Sequence, residues 1–485
     1  MTASNPATRR WLALAVVCLG VVMVVLDATI VNVALPSIRA DLGFTEATLV
    51  WVFNAYLLTC GGFLLLGGRL GDLYGHRRLF MVGIVLFTGA SAACGFANAQ
   101  LTLVVARAVQ GVGGAVVEAV ALALLMQLFT AERERAKAMG VYSFVCAGGG
   151  SIGVLLGGVL TDAYDWHWVF LVNVPIGAAV LGLCVALLPK TAAPRQRVAL
   201  DVGGAVTVTV ALMLAVYAIV GGNDAGWTSP RTLGVLAAAA VLLAIFVAVE
   251  ARVASPLMPL RLFGLKTLAA ANVIAVLWSA AMFAWFFLSA LYLQRVLGYS
   301  AMQVGLAFLP SNLIMAACSL GISAKVVLRF GLRAPLVAGL VCAAAGLALF
   351  ARAPVEGAFI VDVLPGMLLL GVGAGIAFNP LLLAAMRDVD ASESGLASGI
   401  VNTAFMMGGA LGLAVLASLA AAHSGSSSAG DLAALNDGYR LAFGVGALCA
   451  VLAAAVAAAL IPVRARGEAP RSHVGAATTG SAETP

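Results

Sequence analysis

The chain has 485 residues, of which 62% are hydrophobic and only 10% are charged. Soluble domains carry about 25% charged residues, so this composition, with a mean hydropathy of +1.07, excludes a water-soluble protein. The net charge is +6, yet no basic segment carries interleaved aromatic residues, so nothing indicates a nucleic acid partner. The composition predicts an all-α protein that crosses a membrane many times.

Apolar runs separated by short charged loops predict fourteen transmembrane helices. Each helix needs about 20 residues to cross roughly 30 Å of hydrocarbon, and the chain is long enough for all of them. The predicted helices cover residues 11–35, 49–68, 79–98, 101–128, 138–160, 169–188, 202–221, 233–250, 268–291, 304–324, 335–351, 361–385, 397–420 and 440–461.

Lysine and arginine residues predict the orientation, since cytoplasmic loops of membrane proteins carry an excess of both. With the N-terminus inside, most of the 27 basic residues fall in cytoplasmic segments. The exceptions are one residue within the fourth helix, Arg107, and five at the outer side, Arg39, Arg231, Arg295, Arg352 and Arg440. An even number of helices then places both termini in the cytoplasm.

The first helix contains a carboxylate, Asp27, within the apolar string Leu26–Pro36. An ionised Asp at the centre of a membrane helix costs roughly 2.5 to 3.5 kcal/mol on insertion scales, and such residues usually mark functional sites. Asp27 is therefore predicted to be functional, and the chain to be a membrane transporter.

The loop after the second helix is rich in glycine and arginine around one acidic residue, Asp72. The glycines allow tight turning, and Asp72 can accept from helix N-terminal amides or pair with Arg77 or Arg78. Alternatively, the loop is only a positively charged segment that fixes topology. The residues of this loop are Gly68, Gly71, Asp72, Gly75, Arg77 and Arg78.

The fourth helix contains one basic residue, Arg107, within its apolar run. At about 1.5 Å per residue, Asp27 lies roughly 12 Å from the outer end of its helix and Arg107 roughly 9 Å from the outer end of its own. The two side chains can therefore share a level. Arg107 would favour ionisation of a neighbouring carboxylate, or release its proton on approach; the alternative is a static ion pair.

A second carboxylate, Glu118, follows Arg107 by eleven positions. That spacing is nearly three helical turns, so Glu118, Arg107 and Gln110 lie on one face, with Glu118 about 16 Å deeper. Glu118 is either a second proton or cation site or a protonated side chain packed against another helix.

The fifth helix carries regularly spaced glycines, which allow two helices to approach closely. These glycines are Gly140, Gly149, Gly153, Gly157 and Gly158, and their spacing predicts a small-residue packing face.

The ninth helix places large side chains at helical spacing, including Trp278, Met282 and Trp285. The stripe either packs in the core or against lipid, or it forms a polarizable wall that attracts cationic compounds by about 0.5 to 2 kcal/mol per cation–π contact. Polar residues that could add substrate contacts are Asn54, Tyr56, Gln110 and Asn379.

The loop around Asp72 resembles the signature loop of the major facilitator superfamily, although Leu73 and His76 stand where that pattern usually has arginine. In that family the acidic and basic residues of this loop form a latch that breaks and remakes as two halves rock. The helix-five glycines fall at the spacing of the family's antiporter signature, G-x8-G-x3-GP-x2-GG, with Val154 in place of the proline.

Further strings are similar to the fourteen-helix drug:proton antiporter branch of this superfamily. They are the segment around Asp27, Trp168–Gly177, Ser255–Leu260 and Gly395–Gly399, and the segment Arg107–Gly114 resembles the helix-four motif that the family associates with proton transfer. The resemblance implies six-helix bundles at 11–188 and 268–461 and two inserted helices within 202–250. The distribution of basic residues predicts cytoplasmic ends at 1–10 and 462–485, and the composition of the latter predicts disorder.

The resemblance implies a proton-coupled exporter of small amphiphilic or cationic compounds in a bacterial inner membrane. Asp27, Arg107 and Glu118 are its expected proton-coupling residues. An exporter dedicated to one metabolite or lipid, or a non-transporting sensor or scaffold, are the alternatives. No GxxxxGK[ST] segment, metal cluster, or nucleophile and base pair occurs, so we predict no cofactor, no metal and no enzymatic activity. The oligomeric state is left open.

Overall fold

The computed structural model describes residues 6–129, 131–189, 201–253, 256–389, 393–424 and 432–462. Within these residues the regular secondary structure is entirely helical, without strands. The predicted terminal segments 1–10 and 462–485 lie largely outside the described residues. The all-α prediction is confirmed.

The helices of the N-terminal half are α1 Pro6–Leu42, α2 Trp51–Tyr74, α3 His76–Gly95, α4 Gln100–Leu128, α5 Glu132–Ala163 and α6 Trp168–Leu187. Two further helices follow, α7 Val202–Ala225 and α8 Pro230–Glu250. The C-terminal half contains α9 Lys266–Arg295, α10 Ala301–Phe330, α11 Arg333–Phe350, α12 Phe359–Met386, α13 Ser394–Ser424 and α14 Leu432–Leu460.

These fourteen helical stretches of the described residues coincide with the fourteen predicted ones. Thirteen of them are long and apolar enough to cross a membrane, and α5 contributes the shorter apolar stretch Ile152–Ala163. The protein is therefore a multi-pass membrane protein.

Helix α1 runs beyond its predicted end at Leu35 and ends at Leu42. Pro36 lies inside the helix, which membrane helices tolerate when neighbours satisfy the freed backbone groups. The added residues carry charges that find partners beyond the apolar region. Arg39 pairs with Glu46 at 3.2 Å, and the Asp41 carboxylate accepts from Trp166 Nε1 at 3.0 Å.

Two glycines occupy equivalent turns in the two halves. Gly75 joins α2 to α3 with φ of 89°, and Gly331 joins α10 to α11 with φ of 79°. Side chains other than glycine rarely adopt such positive φ values. The repeated turn is the structural counterpart of an internal repeat.

We name one end of the bundle, which carries the α1–α2, α5–α6 and α9–α10 connections, the outer end, following the predicted orientation. Polar contacts join the two halves there. Glu46 forms an ion pair with Arg295, and the Asp162 carboxylate accepts from Ser300 Oγ at 2.7 Å and from the Met302 amide at 3.0 Å. The structure therefore shows the outer end closed.

Candidate functional site

A buried polar network surrounds Asp27 in the middle of the N-terminal half. Arg107 Nη1 donates to Asp27 Oδ2 at 2.5 Å, and Gln110 Nε2 donates to Asp27 Oδ1 at 2.8 Å. Arg107 Nη1 also lies 2.7 Å from Gln110 Oε1. All three side chains are fully buried. The structure thus brings the predicted partners Asp27 and Arg107 into direct contact.

Helix α2 holds the Arg107 guanidinium on its other sides. Arg107 Nε donates to the Val52 carbonyl oxygen at 2.9 Å, and the guanidinium carbon lies 4.4 Å from the centre of the Tyr56 ring. Its Nη2 is buried without a hydrogen-bond partner among the described residues. Tyr56, predicted to contact substrate, therefore stacks on the ion pair, and Gln110 belongs to the same network.

Two members of the network were missed by the sequence analysis, Asn173 on α6 and Ser91 on α3. Asn173 Nδ2 lies 2.9 Å from Asp27 Oδ1 and 3.0 Å from Ser91 Oγ, and Ser91 Oγ donates to the Phe170 carbonyl oxygen at 2.8 Å. Both side chains are fully buried. The signal for Asn173 was present, since it is a lone amide within an apolar helix.

Glycines on α4 place the network by letting three helices meet closely. A Cβ at Gly111 would lie 2.4 Å from the Tyr56 carbonyl oxygen on α2, and one at Gly113 would lie 2.6 Å from the Phe87 amide nitrogen on α3. Neither position has room for a side chain. The string after Arg107 therefore sets the distance between the arginine and its neighbours.

The predicted helix-five glycines pack α5 against α1 beside the acidic residue. A Cβ at Gly153 would lie 2.8 Å from the Leu26 carbonyl oxygen, and one at Gly157 would lie 2.6 Å from that of Ile30. Gly149 meets the Val25 side chain at 3.2 Å. The Gly140 surroundings lie outside the described side chains.

The last glycine of that series contacts the other half of the protein. A Cβ at Gly158 would lie 2.7 Å from the Ala301 carbonyl oxygen on α10. On α10, a Cβ at Gly305 would lie 2.9 Å from the carbonyl oxygen of Val154, the residue that replaces the signature proline. Helix α5 thus touches both the Asp27 segment of α1 and the C-terminal half.

The chemistry of the network depends on an ionised Asp27. A carboxylate can accept from Arg107, Gln110 and Asn173 together, and the Arg107 charge is compensated only while Asp27 is charged. A buried unpaired charge is strongly unfavourable, so uptake of a proton by Asp27 would drive the pair to separate. Because Asp27 lies on α1 and Arg107 on α4, separation of the pair would move these two helices relative to each other.

Glu118 does not contact the Asp27 network directly. Its carboxylate accepts a long contact from Cys60 Sγ on α2 at 3.9 Å, and the residue is half-buried. Among the described residues no basic side chain forms an ion pair with Glu118. It stays a candidate for a second, separate acidic site.

The predicted aromatic residues of α9 lie inside the C-terminal half. Trp278 packs 5.6 Å from Phe405 and Trp285 packs 5.8 Å from Phe308, measured between ring centres, and both tryptophans are buried. Met282 is half-buried beside the Trp278 cluster. In this conformation the tryptophans therefore pack in the core, which corresponds to the packing alternative and not to an open substrate-binding wall.

The remaining polar residues predicted to contact substrate connect helices. Asn54 Nδ2 on α2 donates to the Ala410 carbonyl oxygen on α13 at 2.9 Å, across the two halves. Asn379 Nδ2 on α12 donates to the Ser319 carbonyl oxygen on α10 at 3.0 Å. In this conformation both amides fasten neighbouring helices.

The predicted latch loop forms, with different partners. Asp72 Oδ1 lies 3.3 Å from His76 Nε2, and Gln127 Nε2 on α4 lies 2.9 Å from His76 Nδ1. The pairing of Asp72 with Arg77 or Arg78, one of the two predicted alternatives, does not form in this conformation. Arg77 instead donates to the carbonyl oxygens at the end of α6, and Arg78 is exposed. His76, standing where the family pattern usually has arginine, replaces them.

Comparison with known proteins identifies the family. Residues 17–413 match the profile of the Major Facilitator Superfamily. The chain belongs to this superfamily. Membership in this family of transporters confirms a transporter rather than an enzyme. Among the described residues no group of three or more His, Cys, Asp or Glu could hold a metal ion.

Characterised relatives resemble the chain over nearly its whole length. It is 39% identical to the cephamycin export protein CmcT of Amycolatopsis lactamdurans, covering 94% of both chains. It is 38% identical to the puromycin resistance protein pur8 of Streptomyces alboniger, covering 95% of this chain and 93% of that protein. The lincomycin resistance protein of Streptomyces lincolnensis is 37% identical over 92% of this chain and 90% of its own.

Solved structures confirm the fold. The nucleoside transporter NupG superposes with a TM-score of 0.68 at 12% identity, covering 93% of this chain and 100% of that one. The inward-open xylose transporter XylE of E. coli gives a TM-score of 0.64 at 15% identity, covering 94% and 97%.

Proposed function

We propose that the protein exports antibiotics or other amphiphilic compounds across a bacterial inner membrane in exchange for protons. The family and the printed functions of the relatives support export of such compounds. The observation that carries proton coupling is the fully buried Asp27–Arg107 pair, whose charge balance changes when Asp27 takes up a proton.

The exchange follows the alternating-access scheme, in which a central site opens to one side at a time. The structure has its outer end closed and Asp27 paired with Arg107. When the outer end opens, a proton reaches Asp27, the pair separates, and substrate leaves. After the return to the inward-facing state, loss of the proton restores the pair and readies the site for another substrate.

Helix α5 connects this chemistry to the rocking of the halves. Gly153 rests on the α1 backbone at Leu26, and Gly158 rests on the α10 backbone at Ala301. A shift of α1 caused by opening the Asp27–Arg107 pair is therefore transmitted through α5 to the C-terminal half. The antiporter glycines take part in coupling by this route, without the proline of the signature.

The substrate surface combines aromatic rings with one carboxylate. Phe283, Phe378 and Phe405 are half-buried. The Phe405 ring centre lies 5.7 Å from that of Phe283, 5.6 Å from that of Phe378 and 5.6 Å from that of Trp278. Glu118 supplies a negative charge for cationic compounds. Apolar faces with few polar groups suit amphiphilic ligands, and aromatic rings attract cations.

We propose that both termini are cytoplasmic, which places the latch loop with Asp72, His76 and Arg77 at the cytoplasmic face. An exporter dedicated to one compound stays the second candidate. It is favoured by relatives whose names each carry a single antibiotic, such as puromycin or lincomycin.

Proteoliposomes test both candidates directly. Purified protein is reconstituted with a pH-sensitive dye, and puromycin, lincomycin and a cationic dye are added one at a time. Substrate-dependent proton movement with several of these compounds supports multidrug export, and a response to one alone supports a dedicated exporter. Substrate uptake that ignores an imposed pH gradient contradicts proton coupling.

A further inference from the structure

Two buried carboxyl groups meet where the inserted helices α7 and α8 end on the cytoplasmic side. Asp201 immediately precedes α7, and Glu250 is the last residue of α8. Asp201 is 7% exposed and Glu250 is 3% exposed, so both side chains are buried. This pair is separate from the Asp27 network, which lies in α1, α3, α4 and α6.

One oxygen of each carboxyl group already has a donor. Asp201 Oδ1 accepts from the Gly204 amide at 2.7 Å and so caps α7, and Glu250 Oε2 accepts from the Met258 amide at 2.9 Å. The other two oxygens, Asp201 Oδ2 and Glu250 Oε1, are fully buried and have no donor among the described residues. A buried acceptor without a donor is costly.

The two orphaned oxygens face the same point. A Cβ built at Gly204 would lie 2.6 Å from Asp201 Oδ2 and 2.8 Å from Glu250 Oε1. Both oxygens therefore border the same small space, which any side chain larger than that of Gly204 would fill. Two adjacent buried carboxylates cannot readily both be ionised, since like charges at this range repel.

Within the described residues, no basic side chain forms an ion pair with Asp201 or Glu250. The charged side chains on the surrounding described elements are Arg69 and Asp72 of α2, Arg252 and Arg261 of the α8–α9 connection, and Glu393 just before α13. Arg261 pairs with Glu393. A single proton placed between Asp201 Oδ2 and Glu250 Oε1 satisfies both oxygens and removes the repulsion.

We propose that Asp201 and Glu250 form a second proton-binding site, in which one proton is shared between the two carboxyl groups. The bound proton ties the start of α7 to the end of α8. Through the Met258 amide it also ties this hairpin to the connection that leads to α9. Leu66 of α2 and Leu257 pack beside the start of α7, so the site lies where the hairpin meets both halves.

Infrared spectroscopy of the purified full-length protein tests this site without relying on transport. A protonated carboxyl group has a C=O stretching band distinct from that of a carboxylate, and the band shifts in D₂O. Asp201→Asn and Glu250→Gln each leave one carboxyl group facing an amide donor, so each variant is expected to lose one carboxylic acid band at neutral pH. Asn also keeps the helix cap.

The matched control is Asp224→Asn, because Asp224 is an exposed carboxylate near the other end of α7. This variant is expected to keep the wild-type band. A band unchanged in both Asp201→Asn and Glu250→Gln would overturn the proposal, and would assign the pair to ionised carboxylates balanced by basic residues such as Arg195 and Arg197, outside the described residues.

Thermal unfolding provides a second measurement. A proton bound by the folded pair and absent from the unfolded chain stabilises the fold less as the pH rises. Wild-type protein is therefore expected to lose more thermal stability than either variant between mildly acidic and alkaline pH. Parallel pH profiles for the wild type and both variants would contradict the shared proton.

Discussion

The two six-helix halves bury different chemistry. The N-terminal half buries the Asp27–Arg107 ion pair, with Gln110, Asn173 and Ser91 around it. Among its described residues, the C-terminal half buries no Asp, Glu, Lys or Arg, and its centre instead contains packed aromatic rings. The half that contains the buried ion pair is therefore distinct from the half that contains the packed aromatic rings.

In the exchange that we propose, a proton changes the charge balance in the N-terminal half. The helix interfaces α5–α10 and α2–α13 then transmit the change to the C-terminal half. The contacts at these interfaces are tight, as Gly158 and Asn54 show. Packed interfaces tend to switch between discrete arrangements, since they deform little.

The largest expected effect is that of Asp27→Asn, which removes the ionisable group on which the comparison rests. Asn keeps the shape but cannot exchange a proton, so proton-driven export is expected to fall to the level of empty liposomes. Substrate-dependent pH change in proteoliposomes measures it. Asp41→Asn, at the outer end of the same helix, is the matched control and should transport normally. Wild-type transport by a well-folded Asp27→Asn variant would remove Asp27 from the mechanism.

Arg107→Ala removes the positive charge from the same network. It leaves Asp27 as a buried carboxylate without its partner, and breaking a buried pair costs about 3 to 5 kcal/mol. We expect lost coupling and a clearly lower thermal unfolding temperature.

Arg107→Lys is the sharper control for this residue. It keeps the charge but loses the fork that reaches Asp27, Gln110 and the Val52 carbonyl oxygen together. We expect this variant to be more stable than Arg107→Ala and still poorly coupled. Full coupling with lysine would show that charge alone is sufficient.

Gly153→Val tests whether the α5 contact connects the halves. Its Cβ would lie 2.0 Å from Thr29 Oγ1 and 2.8 Å from the Leu26 carbonyl oxygen, so α5 must move away from α1. Export is expected to fall by about tenfold or more, corresponding to about 1.4 kcal/mol. Gly182→Val on α6 is the control, since a Cβ there meets nothing within 4 Å. Equal activity of the two variants would show that close packing at Gly153 is not needed for export.

The sequence predicted those site residues that are charged and lie within apolar runs. Asp27 and Arg107 stand out because ionised groups are costly in a membrane, and their shared depth follows from the helical rise. Ser91 was not predicted because single uncharged polar residues are common in membrane helices, and Asn173 was noted only as part of the Trp168–Gly177 string. The juxtaposition of Asp201 and Glu250 was not predicted, because these residues are far apart in sequence and meet only when the inserted helices pack.

Helix ends and side-chain directions could also not be predicted from the sequence. Helix α1 extends to Leu42 because Arg39 and Asp41 find partners outside the apolar region. Helical spacing placed Trp278 and Trp285 in one stripe, but only packing decides that they point into the C-terminal core. His76 likewise became the partner of Asp72 through the turn geometry at Gly75.

The smallest expected effect is that of Glu118→Gln, which asks whether the N-terminal half also contributes to substrate selection. Glu118 is half-buried, contacts Cys60 on α2, and has no ion-pair partner among the described residues, so a cationic substrate can supply the missing charge. We expect transport of cationic compounds to fall by a few-fold while neutral compounds move as before, because proton exchange at Asp27 is untouched. Paired uptake assays with one cationic and one neutral substrate measure the ratio. An equal loss for both would make Glu118 a proton carrier, and no loss for either would make it a neutral packing residue, leaving substrate selection to the aromatic half.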